Sequence, residues 1–154
     1  RVLEGKILRD INEGNIARFK LMRLAMDEGR EEDAQEIAKN GQRTAVAYGL
    51  WGYNSILIPM ELAVRKQDVR ASVGYIREMI QATKKPWAMP DIPLYRHISQ
   101  QKKNDQSEET GDKTEKNTMA RVLPVLQQEL KTDPRYDFLR EDEEFRELVG
   151  EQNN

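Results

Sequence analysis

The sequence predicts an all-α protein of stacked antiparallel helical hairpins, and three observations carry that prediction. Apolar residues recur at intervals of three and four through most of the chain, the spacing that collects side chains on one helical face. No run alternates apolar and polar residues between hairpin turns, as a strand would. Charged residues make up 34% of the chain and hydrophobic ones 38%, a balance that suits helices with wet outer faces and narrow buried stripes. At 154 residues, one domain with a self-sufficient core is expected.

The first helix is read from Ile16, Phe19, Met22 or Arg23, and Met26, and Asp27-Glu28-Gly29 end it. Glu31, Glu32 and Asp33 open the second at the positive end of its dipole; Ala34, Ile37 and Ala38 turn inward, and Asn40-Gly41 supply a stop. The third, about Gln42 to Lys66, is the apolar one, with Val46, Leu50, Trp51, Ile56, Leu57, Met60 and Leu62. Pro59 has no amide hydrogen and is expected to bend or interrupt it near Leu57. Asp68 is a candidate N-cap for a fourth helix, Val69 to Thr83, whose inward stripe is Val73, Ile76, Met79 and Ile80.

Pro86, Trp87, Pro90 and Pro93 then hold the chain extended, and Leu94 to Ile98 forms one or two helical turns. Residues 99–117 contain no apolar side chain and read as a mobile polar loop, because nothing there offsets the entropy of ordering. Thr118 to Lys131 returns to helical spacing through Met119, Val122, Leu123, Leu126 and Leu130. Pro134 to Val149 reads as a turn and a short helix, with Tyr136, Phe138, Leu139, Phe145, Leu148 and Val149 packing back on the body. The organisation is thus a hairpin body over 1–98, a loop over 99–117 and closing helices over 118–154, within a single domain.

An internal repeat underlies the hairpins. Glu28-Gly29-Arg30 followed by Ala34 and Ala38 stands beside Lys66-Gln67-Asp68 followed by Ser72 and Ile76, an offset of about 38 residues. Each copy places a charged turn after one helix and a small residue a turn into the next, where two helices must approach closely. Over Ile16 to Thr83 this resembles the hairpin of tetratricopeptide-type repeats: Gly29 and Ala34 match the first unit, Asp68 and Ser72 the second. Arg18, Met22 and Ala25 stand where the family consensus has Trp, Gly and Tyr, so the hairpins are divergent ones. The resemblance implies a concave surface that binds a partner chain without chemistry of its own.

Composition removes several other functions. The absence of Cys excludes disulfides, thiolate metal sites and cysteine nucleophiles. A net charge of −2 speaks against direct nucleic-acid contact, and Arg18, Lys20 and Arg23 alternate with apolar residues as the wet side of an amphipathic helix does. The uncharged run from Thr44 to Met60 contains Gly49, Gly52, Asn54, Ser55 and Pro59, which fits a buried helix better than a membrane span. His97 is the single imidazole, without a recognisable nucleophile or orienting partner, and the acid runs at 31–33 and 141–144 lack calcium-loop spacing. Gly49 and Gly52 are read as letting another helix pack close.

The aromatic set Tyr48, Trp51, Tyr53, Tyr75, Trp87 and Tyr95 remains. Tyr48 and Trp51, three apart, share a face, and Arg43, Asn54 and Arg77 are candidate polar contacts beside them. The expectation is a non-enzymatic, cytoplasmic module of a larger regulatory protein that binds a protein or peptide, with no metal or cofactor, and with homodimerisation open. A small-ligand-sensing domain of a transcription regulator, with a cavity lined by Trp51, Met60 and Met79, and a structural oligomerisation domain are the alternatives. The chain begins with Arg1, so a fragment or a processed product is expected.

Overall fold

Helix α1 spans Val2–Asp27, α2 Glu31–Ala47, α3 Gly52–Arg65 and α4 Val69–Lys84 in a computed structural model that describes residues 2–50, 52–85, 88–105 and 111–150. Among the described residues there is no strand, and no helix is long and apolar enough to cross a membrane. Successive helices pack in order, α1 on α2, α2 on α3 and α3 on α4. Helix α3 lies between two neighbours and is therefore buried on nearly every side from Ile56 to Val64.

The two hairpin turns close in the same way. After α1, Gly29 adopts φ +75°, Arg30 N–H donates to the Ala25 carbonyl at 2.8 Å, and Gly29 N–H donates to that of Met26 at 3.0 Å. After α3, Gln67 adopts φ +54°, Asp68 N–H donates to Ala63 and Gln67 N–H to Val64, both at 3.0 Å. These paired bonds satisfy carbonyls that a helix end otherwise leaves bare. Ala34, a turn into α2, and Ser72, a turn into α4, are both fully buried. Asp68 caps α4, its carboxylate accepting from Ala71 N–H at 3.0 Å.

Two expectations about this region are corrected. Helix α2 runs straight through Asn40-Gly41 and ends at Ala47. Gly41 is buried, and a Cβ there would lie 2.6 Å from Ile58 Cδ1, so it is a packing glycine of the α2–α3 contact and no terminator. The break comes at Gly49, φ +61°, with Leu50 N–H donating to the Ala45 carbonyl. The close neighbour of Gly49 is the Pro90 ring, while a Cβ on Gly52 would meet only Ala82, at 3.9 Å. Of the bend or interruption expected at Pro59, the interruption does not occur: α3 continues past Pro59, which is buried along with Ile58 and Met60, and packing there holds the helix across the one bond proline removes.

Beyond α4, a 3-10 turn at Pro93–Tyr95 leads into α5, Arg96–Asp105, and α6 spans Gly111–Thr132. The described parts of 99–117 are thus helical where a loop is predicted; residues 106–110 lie outside the described residues. For 99–105 the reason is nucleation from the segment before. Tyr95 is fully buried with its hydroxyl donating to the Tyr48 carbonyl at 2.9 Å, and Ser99 is buried, so the first turn of α5 is anchored. The Gln and Lys residues that follow are good helix formers. At the other end, α1 extends to Val2, fourteen positions before its predicted start at Ile16, helped by a Lys6–Asp10 pair one turn apart at 2.7 Å.

A 3-10 helix, Pro134–Leu139, and α7, Glu143–Leu148, close the domain against α4. Tyr136, Leu139, Phe145 and Val149 join Ile76, Met79 and Ile80 of α4 and Leu126 and Leu130 of α6 in one core cluster. A second, smaller cluster of Met22, Ala25, Ala34, Ala38, Ile58 and Leu62 joins α1, α2 and α3. Two caps order the closing segment: Asp133 accepts from Arg135 N–H at 2.9 Å and Asp142 from Phe145 N–H at 2.8 Å. Arg77 of α4 donates to Glu144 of α7.

Acid should weaken this closure. The Arg135 amide and guanidinium hold the Asp133 carboxyl below the usual carboxylate range, and Arg77 does the same for Glu144. A carboxyl whose folded value lies below its unfolded one stabilises the fold above the unfolded value, about pH 4. That contribution is lost as the pH falls through the folded value. The urea midpoint is expected to be lower at pH 3 than at pH 6, and the double variant Asp133→Asn, Glu144→Gln should show a smaller drop over the same interval.

Candidate functional site

Helix α1 has more apolar surface than one packed face can use. Met22 and Ala25 are fully buried against α2, whereas Ile16 remains 58% exposed and Phe19 half-buried on the side toward α3. Between α1 and α3 lies an open trough of about 580 Å³. Phe19, Leu57 and Ile58 line it together with Ile16, and Asn12, Asn15 and Asn54 add carboxamides from both helices. Its charged lining residues are Lys20 and Arg23, both cations. The mixture of apolar walls and a few directed polar groups is what a binding groove requires.

The electrostatics centre on Glu61, one turn along α3 from Leu57 and only 4% exposed. Its Oε2 accepts from Arg135 Nη1 at 3.1 Å and its Oε1 from Arg65 Nε at 3.4 Å, while Arg23 Nε stands at 3.9 Å. Arg65 also bonds Asp27 of α1 at 2.6 Å, which holds its guanidinium above the ordinary arginine range. One buried carboxylate therefore serves guanidinium groups from α1, α3 and the closing 3-10 helix, a full set of partners that offsets the desolvation of its charge. Arg23 also lies over the Phe19 ring, 5.9 Å from the centroid.

Of the residues singled out in the sequence, Asn54 lines this trough. Arg77 lines a separate depression of about 490 Å³ along α3 and α4, where Glu78 and Lys85 mix both signs of charge, and is engaged by Glu144. Tyr48 is half-buried at the end of α2 with its carbonyl taken by Tyr95, and Arg43 is exposed on α2. The structure does not bring Tyr48, Arg43 and Arg77 into one site with Asn54. Trp51, Pro86 and Trp87 lie outside the described residues, as do the side chains of Tyr53 and Met119. Met60 and Met79 are packed in the larger core cluster, and Tyr75 lines a depression of about 280 Å³ among α2, α3 and α4.

His97 is exposed, with its amide donating to Glu4 Oε1 at 3.0 Å and its Nδ1 3.2 Å from the same oxygen, a contact that ties α5 to the start of α1. Among the described residues no group of three or more His, Asp or Glu side chains is placed to hold a metal ion.

No protein-family model, curated protein or solved structure matches the chain.

Sequence reasoning missed Asn12, Asn15, Ile16, Phe19, Lys20 and Arg23 as a site because it assigned Ile16 and Phe19 to the single stripe that also holds Met22 and Met26. The signal was present. Ile16, Phe19 and Arg23 follow three- and four-residue spacing on a line rotated from Met22, Ala25 and Met26, so α1 carries two adjacent stripes, one more than its pairing with α2 needs.

Proposed function

We propose that the trough between α1 and α3 is a peptide-binding groove and that the chain is a non-enzymatic interaction module of a larger regulatory protein. The observation that carries this reading is Ile16, a large apolar side chain more than half exposed at the edge of an apolar channel whose floor is already built by Phe19, Leu57 and Ile58. Such an edge is covered most economically by a side chain of a partner. Asn12 of α1 and Asn54 of α3 both line the channel, and each carboxamide offers both a donor and an acceptor to a peptide backbone. The resemblance of the two helix pairs to tetratricopeptide-type units supports the same reading, since stacked helical pairs expose a long concave surface that binds a partner chain. The exposed rim at Asn12, Lys20 and Arg23 suits a chain lying along the groove better than a small ligand sealed within a cavity.

The test uses peptides enriched from a random dodecamer library by the full chain. Their binding should shift the backbone amide resonances of Ile16, Lys20, Asn54 and Leu57. Ile16→Asp should weaken them at least tenfold with the thermal midpoint little changed, because Ile16 contributes little to the folded core. Resonance changes confined to α4 and α7, or peptide affinity indifferent to Ile16→Asp, would place the binding surface elsewhere.

A further inference from the structure

We infer that the groove selects an occupant bearing an acidic side chain next to its apolar anchor, and that Arg23 is the residue that selects it. This rests on the groove reading above. A guanidinium has five N–H donors, and those of Arg23 are hardly used. Its nearest carboxylate is Glu61, at 3.9 Å, and both oxygens of Glu61 are held more closely by Arg135 at 3.1 Å and Arg65 at 3.4 Å. Arg23 is half exposed at the trough, and its guanidinium is spread over the Phe19 ring, which fixes the cation at the edge of the apolar floor. Lys20, one turn before, forms no ion pair among the described residues.

The acids around this cluster are committed. Asp27 bonds Arg65, and Asp133 and Glu129 both bond Arg135. A carboxylate arriving at Arg23 therefore meets available donors, and Glu61 keeps two guanidinium partners when Arg23 turns away. A cationic side chain at the same place meets Arg23 and Lys20 with no uncommitted acid in the groove lining, and like charges brought together at an interface disfavour the wrong partner. Glu61 is a positioning residue in this scheme: it holds Arg23 near the groove without saturating it.

The sequences of the library peptides report on this directly. Against the natural chain they are expected to carry Asp or Glu within about four residues of Leu, Ile, Met or Phe, one helical turn or a short extended span. Against the double variant Lys20→Glu, Arg23→Glu the selection should turn to Lys- and Arg-bearing peptides, and an acidic peptide chosen by the natural chain should lose at least tenfold in affinity by fluorescence anisotropy. Arg23→Gln, which adds no repulsion toward Glu61, should by itself weaken the acidic peptide several-fold and serves if the double variant does not fold. Peptides that depend on Ile16 but are neutral or basic, or that ignore both cation variants, overturn the charge selection and leave the groove standing. Peptides that survive Ile16→Asp, or a library that yields none, overturn the groove and this inference with it.

Discussion

Replacing Phe145 by alanine is expected to lower the unfolding free energy by about 3–5 kcal/mol. The ring is 1% exposed and packs in the larger core cluster with residues of α4 and α6. It also carries the Arg140 guanidinium 5.8 Å above its centroid. Truncation removes the transfer free energy of the ring and leaves a cavity beneath it, because neighbours such as Leu139 and Leu130 are themselves fully buried and held by other contacts. The magnitude decides what anchors the closing segment. The Arg77–Glu144 pair lies in solvent, where screening and side-chain entropy take most of its value, so α7 is held by its aromatic residue and much less by its ion pair. Against a total stability of about 5–15 kcal/mol for a domain of ordinary size, the loss is large. Urea unfolding followed by circular dichroism measures it. A loss below about 1 kcal/mol would mean that the closing helices unfold separately from α3 and α4 and take no part in the cooperative core.

Much of this architecture was legible because the strongest signals were local. The hairpin turns at Gly29 and Gln67, the cap at Asp68 and the inward stripe of α4 follow from residue type and spacing alone, and the structure places each as read. The errors share a different origin. Gly41 looks like a stop until Ile58, seventeen positions later, is seen to occupy the space where its side chain would be. Residues 99–105 look disordered until Tyr95 is found tied to Tyr48 and Ser99 buried, which anchors the helix that the polar residues then continue. In each case a distant contact decided between two local readings. The trough was hidden for a related reason: Ile16 and Arg23 line it only because α3 brings Asn54 and Leu57 alongside, with Glu61 near Arg23. Arg135 belongs to that neighbourhood although it stands over seventy positions from Glu61 in sequence, and no periodicity could have placed it there.

The contrast between two glycines tests where the second helix ends. Gly49→Ala is expected to cost about 2–4 kcal/mol. A Cβ residue held in the left-handed region loses about 1–2 kcal/mol, and here the new methyl would also stand 2.6 Å from Pro90 Cγ and 3.3 Å from its Cβ. A pyrrolidine ring cannot rotate aside as a chain end can, so the overlap adds about 1–2 kcal/mol more. Gly41→Ala should differ from the natural protein by less than about 1 kcal/mol. It gains helix propensity of about that size inside α2, which offsets much of the overpacking against buried Ile58, whose Cδ1 lies 2.6 Å from the new methyl but is the far end of its side chain. Thermal midpoints of the two single variants, measured side by side, give the comparison. If Gly49→Ala proved mild, Gly49 would not be held in the left-handed region against Pro90 and the break between α2 and α3 would have to be redrawn, together with the placement of Asn54 and Leu57 on the groove.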